Sequence, residues 1–238
     1  RDGHGRILAY EVDWDGNLGA HTVSFTSMGN ARCVLPTVYH VPAFHLRLRG
    51  VLTNTVPTAP FRGAGRPEAH HLMERLLDMA ARRLRLDRIE IRHRNLVRRE
   101  LMPYRSATGI TYDSGDFVGN MQKVLTLADW SGFAARRAGA RARGRLAGIG
   151  VANHIEIPVG FPIERVVVRV AGEGTVDVIV GTQSTGQGHE TSFAQVIADQ
   201  LSVAIETVRI RYGDSDFVVR GGGTHSDRSI RLGGYVMV

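Results

Sequence analysis

The sequence predicts an α+β fold in which mixed sheets pack against helices, and three patterns lead to that class. Val176 to Val180 is a β-branched run typical of a strand. Phe44 to Leu52 alternates apolar with polar residues, so one face of that strand is expected to be buried. Residues 72–84 instead place their apolar side chains on one helical stripe. Gly172 to Gly174 predicts a hairpin, which favours α+β over a doubly wound parallel sheet.

The chain before that first helix is predicted to contain strands and loops. Ile7 to Trp14 and Ala20 to Phe25 predict two strands, joined by a turn at residues 15–17, whose Asp, Gly and Asn favour turns. Residues 53–66 are rich in proline and glycine and predict a loop. Pro67 then suits the first turn of a helix that extends to Leu84.

Further helices are predicted before a domain border. Asp87 suits the cap of a short helix that ends near Asn95. Another helix is expected to begin near Asp116, with its apolar face formed by Phe117, Met121, Val124 and Leu125. Residues 131–145 are small and basic, which indicates a solvent-facing connector. The border is therefore placed at Gly144, giving domains of residues 1–144 and 145–238.

The second domain is expected to begin again with strands. Its predicted strands cover residues 146–157, 164–171, 175–181 and 208–212. A glycine-rich turn and a helix over 191–201 follow the third of them, and a glycine-rich loop over 213–234 follows the last.

Composition excludes several classes of protein. The net charge is +7, but Lys123 is the only lysine among 30 basic residues, which indicates a general composition bias towards arginine. Acidic residues alternate with the arginines of residues 74–100 and no aromatic residues are interleaved for base stacking, which argues against nucleic-acid binding. Cys33 is the only cysteine, so no internal disulfide can form. The sequence has neither a membrane-length apolar run nor a signal-peptide pattern, so a cytoplasmic location is expected.

Gly186 to Thr191 is the most informative segment, because it joins a predicted strand to a predicted helix. Glycines at a helix start leave backbone N–H groups exposed at the positive end of the helix dipole, which suits an anion such as phosphate. A tight turn that simply needs glycine explains the pattern equally well.

Two more segments could bind an anion or a polarised oxygen. Phe61 to Glu68 places arginines on both sides of a glycine bend at a helix start. The alternative is that Arg62 and Arg66 simply pair with Glu68 or other nearby acids. Gly221 to Ser229 combines small and hydroxyl residues with an arginine, which suits a nest of donors or, alternatively, a flexible linker.

Histidine-based metal chemistry has weak support. His189-Glu190 is followed by Phe193 where a zinc-protease helix needs its second histidine. His70 and His71 are adjacent, so they face different sides of one helix and are interpreted as exposed residues. No metal ligand is therefore assigned.

Together these segments resemble the large subunit of the molybdenum hydroxylases, the xanthine dehydrogenase, aldehyde oxidase and aerobic carbon monoxide dehydrogenase group. The resemblance rests on five ordered motifs that span most of the chain. They are Thr53-Asn54-Thr55 with Pro57, Phe61 to Glu68, Tyr112 to Asp116, Gly181 to Thr191, and Gly213 to Asp216.

The resemblance implies two molybdopterin-binding domains, the end of the first and the beginning of the second. It implies a molybdenum cofactor held by the pterin, typically in the cytosine dinucleotide form. It also implies hydroxylation of a carbon centre with oxygen from water. Electrons would leave through partner subunits that carry [2Fe–2S] clusters and FAD.

The resemblance also assigns roles to residues. Arg62 would orient the substrate or a developing oxyanion, and Phe61 and Gly63 would lie at the molybdenum and pterin end. The other expected cofactor contacts are Gly186, Gln187, Gly188 and His189, with Thr224, Arg228 and Ser229 at the distal part of the dinucleotide.

Sequence differences from the family narrow the expected substrate class and the expected share of the active site. Gly63 stands where carbon monoxide oxidation needs a cysteine, which favours an aldehyde or an N-heterocycle as substrate. The family's glycine–phenylalanine loop and its catalytic glutamate match no segment of this sequence, so the chain is interpreted as an internal portion of a large subunit. The alternative is a non-catalytic remnant that serves as a scaffold or interaction module.

Overall fold

A computed structural model describes residues 2–158 and 160–238, and it has the predicted α+β architecture of small sheets and packed helices. Contacts divide the chain into two compact units, the first ending at Glu156 and the second beginning at Ile157.

The sheet of the first unit consists of two parallel strands. β1 (Tyr10–Gly19) pairs with β2 (Phe44–Leu52), which confirms the strand predicted over 44–52. Exposure alternates as predicted from Phe44 to Arg49, but the inner side chains are half-buried rather than buried, and residues 50–52 are exposed. The predicted turn at residues 15–17 is wrong, because β1 continues through Gly16, which pairs with Gly50. Residues 20–25 form no strand; they lead into helix α1 (Thr26–Val34).

Helix α2 (Arg66–Leu84) starts and ends where the sequence predicts, with Pro67 in its first turn. It buries Met73 and Leu77, whereas Leu76 is 41% exposed. Its buried face also includes the charged residues Arg66 and Glu74, which the apolar stripe did not indicate. No described helix has both the length and the apolar character needed to cross a membrane.

The remaining helices of this unit are α3 (Arg88–Asn95), α4 (Phe117–Leu127) and α5 (Phe133–Ala142). The predicted cap is confirmed, since Asp87 accepts two backbone N–H groups at the start of α3. Helix α4 begins next to Asp116 as predicted, and the Asp116 carboxylate accepts the Gly119 N–H. The prediction that Val124 faces inward is wrong, because Val124 is 50% exposed. The predicted connector at 131–145 is largely the helix α5, because alanine and arginine are strong helix formers.

A short antiparallel pair, β3 (Tyr104–Arg105) and β4 (Thr111–Tyr112), lies between α3 and α4. Tyr112 donates a hydrogen bond to the carbonyl oxygen of Thr37 at 2.6 Å, and Tyr39 bridges to Leu96. These contacts fix the segment that follows α1 inside the core of the unit.

The described part of the second unit contains a three-stranded sheet that packs against an α-helix. β5 (Val166–Val170) and β6 (Val176–Val180) form the predicted hairpin, and β7 (Val208–Arg211) pairs with β6 in parallel. Helix α6 (His189–Leu201) connects β6 to β7, and its Phe193 and Ile197 pack on the buried valines of β6. Since β6 has neighbours on both edges and α6 on one face, it is the most buried strand of the unit.

Two further predictions in the second half are wrong. Residues 146–157 form no strand, because side chains of α2 rather than a neighbouring strand bind their backbone. The end of the predicted glycine-rich loop is helical, with a π-helical turn at Ser229–Gly234. The domain border at Gly144 stays a prediction; by contacts, residues 145–156 belong to the first compact unit.

Candidate functional site

In the second unit, the loop after β6 presents glycine backbone at the start of α6. Gly186, Gln187 and Gly188 are exposed, and Gly188 has a left-handed φ of +73° at the cap of the helix. No side chain of the described residues caps α6, and the first hydrogen bond into it runs from Ser192 N–H to the Gly188 carbonyl. The N–H groups of the first turn therefore point outward at the positive end of the dipole.

The side chain of Gln187 turns back onto its own loop. Its Oε1 accepts hydrogen bonds from the N–H of Thr185 at 2.5 Å and from the Thr185 hydroxyl at 3.1 Å. Gln187 thus stiffens the loop, and its backbone is the part that remains available to a ligand.

His189 begins α6 as a buried residue, 5% exposed, with its ring 5.0 Å from that of Phe193. Its Nδ1 atom is buried and has no hydrogen-bond partner among the described residues. Because a buried polar atom without a partner is costly, this nitrogen marks a place where a ligand or solvent would be stabilising.

The second predicted loop of this unit lies beside the first. The Thr182 hydroxyl is 2.8 Å from the Thr224 hydroxyl and 2.5 Å from that of Ser229, and Gly223 N–H donates to the Gly181 carbonyl at 3.2 Å. A Cβ on Gly181 would lie 2.3 Å from Gly221 Cα, so only glycine allows this approach of the two backbones. The structure therefore brings together two of the three segments that the sequence singled out.

Arg228 holds these loops from inside. It is fully buried and forms an ion pair with Glu164 at 2.6 Å, where neither side chain is exposed to solvent. Its guanidinium also donates to the carbonyl groups of Phe161, Ile163 and Gly223 at 3.2, 2.6 and 2.6 Å. Every guanidinium nitrogen is thus engaged within the unit, and the role of Arg228 as a direct cofactor ligand stays a prediction.

The first unit contains the remaining predicted segment, a bend before α2. Arg62, Gly63, Ala64 and Gly65 have consecutive positive φ values of 47°, 78°, 45° and 91°. Left-handed residues usually occur singly, so a run that includes arginine and alanine persists only where its surroundings fix it.

The side chains of the bend face solvent. Phe61 is 91% exposed, Arg62 is exposed, and no described carboxylate forms an ion pair with Arg62. Arg66 has an acidic partner, but not one close in sequence: it is 6% exposed and pairs with Glu156.

Three side chains on successive turns of α2 bind the extended segment 153–156, and we call this set the polar ladder. Glu74 Oε1 accepts the Asn153 N–H at 3.1 Å, His70 Nε2 accepts the Ile155 N–H at 3.0 Å, and Arg66 Nε pairs with Glu156. Glu74 is also the partner of the buried residues Tyr39 and Arg92, through hydrogen bonds of 2.5 and 2.7 Å.

Sequence reasoning missed the polar ladder and took His70 for an exposed residue. His70 is instead half-buried between Arg66 and the 153–156 segment, whereas His71 is exposed as predicted. The spacing of Arg66, His70 and Glu74 at intervals of four was the available signal, because such residues share one face of a helix.

The contacts of His70 fix its protonation state. Nε2 accepts the Ile155 N–H, so Nδ1 must carry the proton and donate to the Arg66 carbonyl at 2.5 Å. Burial is the main cause that lowers the pKa of His70 below 6.5, and His154, 5.9 Å away between ring centroids, lowers it further. The hydrogen bond to the Arg66 carbonyl and the charge of Glu74 act in the opposite direction.

We expect stability to depend on pH through His70. Since its folded pKa lies below the unfolded value of 6.5, its contribution is complete above pH 6.5 and is lost as the pH falls through the lowered pKa. His70→Gln keeps an acceptor for the Ile155 N–H but does not titrate. Thermal melts from pH 7.5 to 5 should show a smaller loss of Tm for His70→Gln than for the unmodified protein. His71→Gln, the matched control, should follow the unmodified protein, and equal pH slopes for all three would contradict the assignment.

The site therefore combines exposed backbone N–H groups at the start of α6 with a neighbouring loop that carries hydroxyl groups and packs closely against Gly181. Comparison with known proteins identifies the class of protein that has this site. Sequence models of a molybdopterin cofactor-binding domain match residues 2–96 and 123–237. The chain belongs to this family of cofactor-binding domains and corresponds to part of a molybdenum hydroxylase large subunit.

Individual relatives agree with that assignment. The carbon monoxide dehydrogenase large chain of Hydrogenophaga pseudoflava is 33% identical over 82% of this chain and 26% of its own length. The 6-hydroxypseudooxynicotine dehydrogenase complex subunit gamma of Paenarthrobacter nicotinovorans is 32% identical over 98% of this chain and 30% of its own length. The crystal structure of quinoline 2-oxidoreductase from Pseudomonas putida 86 superimposes with a TM-score of 0.87 at 31% identity, over 99% of this chain and 33% of that one. The chain thus spans about a third or less of these relatives.

Proposed function

We propose that this chain is the cofactor-binding portion of an oxidoreductase that hydroxylates an aldehyde or an N-heterocycle with oxygen from water. The proposed cofactor is a molybdopterin cytosine dinucleotide with molybdenum. The proposed partners are an iron–sulfur subunit with [2Fe–2S] clusters and an FAD subunit, in the cytoplasm.

The observation that carries this proposal is the set of unused donors at the start of α6. Outward N–H groups after Gly188 suit the phosphates of a dinucleotide, and the buried Nδ1 of His189 offers one more polar contact without a partner among the described residues. Thr224 and Ser229 supply hydroxyls next to this loop, and Arg228 holds their backbone in place. The residues present therefore fit the proposed group.

The bend of the first unit is assigned to the reacting end. Arg62 has no ion-pair partner among the residues that the structure describes, and its guanidinium would orient a substrate oxygen or stabilise negative charge as it develops. Phe61 would offer an apolar surface to the substrate, and Gly63 would allow close approach of backbone to the pterin end. When bound, the molybdenum cofactor would supply the oxygen-transfer and two-electron chemistry.

The substrate class rests on two observations. Gly63 occupies the position at which carbon monoxide oxidation would need a cysteine, so that activity is not proposed. Relatives named for nicotine and quinoline, at 30% and 31% identity, support an N-heterocycle.

The first test is chemical analysis of the holoenzyme purified from its host. We expect molybdenum and pterin in equal amounts, and cytidine monophosphate after hydrolysis of the cofactor. Iron and flavin should also be present, from the partner subunits. Turnover of N-heterocycles and aldehydes in ¹⁸O-labelled water should give a labelled product. An enzyme without molybdenum or pterin would refute the proposal and leave the scaffold alternative.

The second test addresses the anion site at Gly188, where a Cβ would meet open space. Gly188→Asp and Gly188→Asn differ only in charge, and both side chains tolerate the left-handed backbone. A carboxylate at a helix start favours the helix by about 0.3–1 kcal/mol but repels a phosphate. We therefore expect Gly188→Asp to retain less cofactor than Gly188→Asn, measured as molybdenum content. Without cofactor, Gly188→Asp should be at least as stable as Gly188→Asn, measured as Tm. Equal cofactor content in the two variants would refute an anion at this position.

A further inference from the structure

The backbone of the bend before α2 is bound by Arg66, the first residue of that helix. Two hydrogen bonds converge on the Gly63 carbonyl, from the Arg66 backbone N–H at 3.1 Å and from Arg66 Nη1 at 3.2 Å. The same guanidinium pairs through Nε with Glu156. Arg66 therefore connects the bend to the 153–156 segment.

Arg66 is held firmly enough to act as such a connection. Its side chain is 8% exposed, so water competes little for its contacts, and a charge-assisted bond in that setting is stronger than one at the surface. Glu156 is fixed in turn, because the residue before it donates its N–H to His70 and Asn153 donates to Glu74. The polar ladder thus anchors the partner of Arg66 along two further turns of α2.

The bend needs an anchor because its backbone is unfavourable by itself. Arg62 and Ala64 have side chains but left-handed φ values of 47° and 45°, which cost roughly 1–2 kcal/mol for each residue. Without a fixed Gly63 carbonyl, both residues would return to negative φ, and the Arg62 side chain would point elsewhere.

We propose that Arg66 and Glu156 are positioning residues that hold the bend so that Arg62 is presented in one orientation. This inference rests on the proposed function of Arg62 as the residue that orients the substrate. Neither Arg66 nor Glu156 needs to touch substrate for this role; they act through the Gly63 carbonyl.

The experiment uses the holoenzyme with Arg66→Met, Arg66→Lys, Glu156→Gln and the double variant Arg66→Met/Glu156→Met. Arg75→Met is the matched control, because Arg75 is an exposed arginine of the same helix with no ion pair among the described residues. Amide hydrogen exchange of peptides that cover 58–66 reports the bend directly. The values of kcat and KM and the molybdenum content are measured in parallel.

We expect Arg66→Met to accelerate exchange in the bend about tenfold or more and to lower kcat about 10²-fold, with molybdenum content retained, since a misplacement near 1 Å can have that effect. Arg66→Lys should recover part of kcat, because lysine keeps the charge but lacks the fork that reaches both partners. The double variant should be no worse than Arg66→Met, since partners in one interaction are not additive. Arg75→Met should match the unmodified enzyme.

The inference is overturned if exchange in the bend and kcat stay within about twofold of the unmodified enzyme in both Arg66→Met and Glu156→Gln. If Arg66→Met does not fold, Glu156→Gln still decides, because it removes one charge and keeps the size of the side chain. Failure of the proposed function would be seen separately, as an unmodified enzyme without molybdenum, and hydrogen exchange would still test whether Arg66 holds the bend.

Discussion

Gly65→Ala should lower the free energy of unfolding of the first unit by about 2–4 kcal/mol, through left-handed strain and overpacking. A Cβ at Gly65 would lie 1.7 Å from the Ser27 carbonyl oxygen and 2.6 Å from its carbon, and both are backbone atoms that no side-chain rotation can move. The φ of +91° adds strain for any residue with a side chain. Denaturant unfolding measures the effect, and hydrogen exchange over 58–66 should show that the bend opens.

Gly29→Ala is the matched control for Gly65→Ala. Gly29 lies in α1, where a Cβ would meet nothing within 4 Å, so alanine should stabilise that helix by about 0.5–1 kcal/mol. Gly65→Ala and Gly29→Ala should therefore change the free energy of unfolding in opposite directions, although Gly29 lies only two residues after Ser27, which Gly65 contacts. A Gly65→Ala protein as stable as the unmodified one would show that α1 and the bend do not approach as described.

Arg228→Met should destabilise the second unit by about 3–5 kcal/mol, because it leaves the Glu164 carboxylate buried without its partner. Both side chains are fully buried, and three carbonyl groups would also lose their donor. Since Arg228 fixes the loop that carries Thr224 and Ser229, cofactor content should fall with stability. Calorimetric unfolding and molybdenum analysis measure the two effects.

The double variant Arg228→Met/Glu164→Met distinguishes the loss of the ion pair from the cost of leaving the Glu164 carboxylate buried without a partner. Because removal of both charges relieves the uncompensated carboxylate, it should be more stable than Arg228→Met alone. Arg220→Met, at an exposed arginine of the same loop, should change stability by no more than about 0.5 kcal/mol. An Arg228→Met protein within that range would contradict a buried ion pair between Arg228 and Glu164.

Local chemistry made the helices and the hairpin predictable. Asp87 and Asp116 cap the helices that they were expected to begin, because a cap bonds N–H groups only two or three residues away. The hairpin of β5 and β6 was likewise encoded by a short glycine turn between β-branched runs. Each of these signals acts within a few residues of where it is read.

Elements whose backbone partners are distant in sequence were not predictable in this way. Turn-forming residues at 15–17 suggested a break, but β1 continues because β2, more than 30 residues later, pairs with it in parallel. The segment 146–157 has the composition of a strand, yet α2 binds it through side chains. A single-sequence pattern contains no information about which of these partners is present.

The sequence alone predicted a glycine turn at the start of α6, because backbone geometry at such a turn restricts residue type. Its five ordered motifs carried the resemblance to the molybdenum hydroxylase large subunit. The tertiary structure decided what each arginine does. Arg228 is enclosed by carbonyl groups, Arg66 is engaged with Glu156, and Arg62 is left exposed, although all three lie in similar glycine-rich surroundings in the sequence. Charge and side-chain length are the same at the three positions, so only the groups that folding brings around each guanidinium distinguish a structural role from a chemical one.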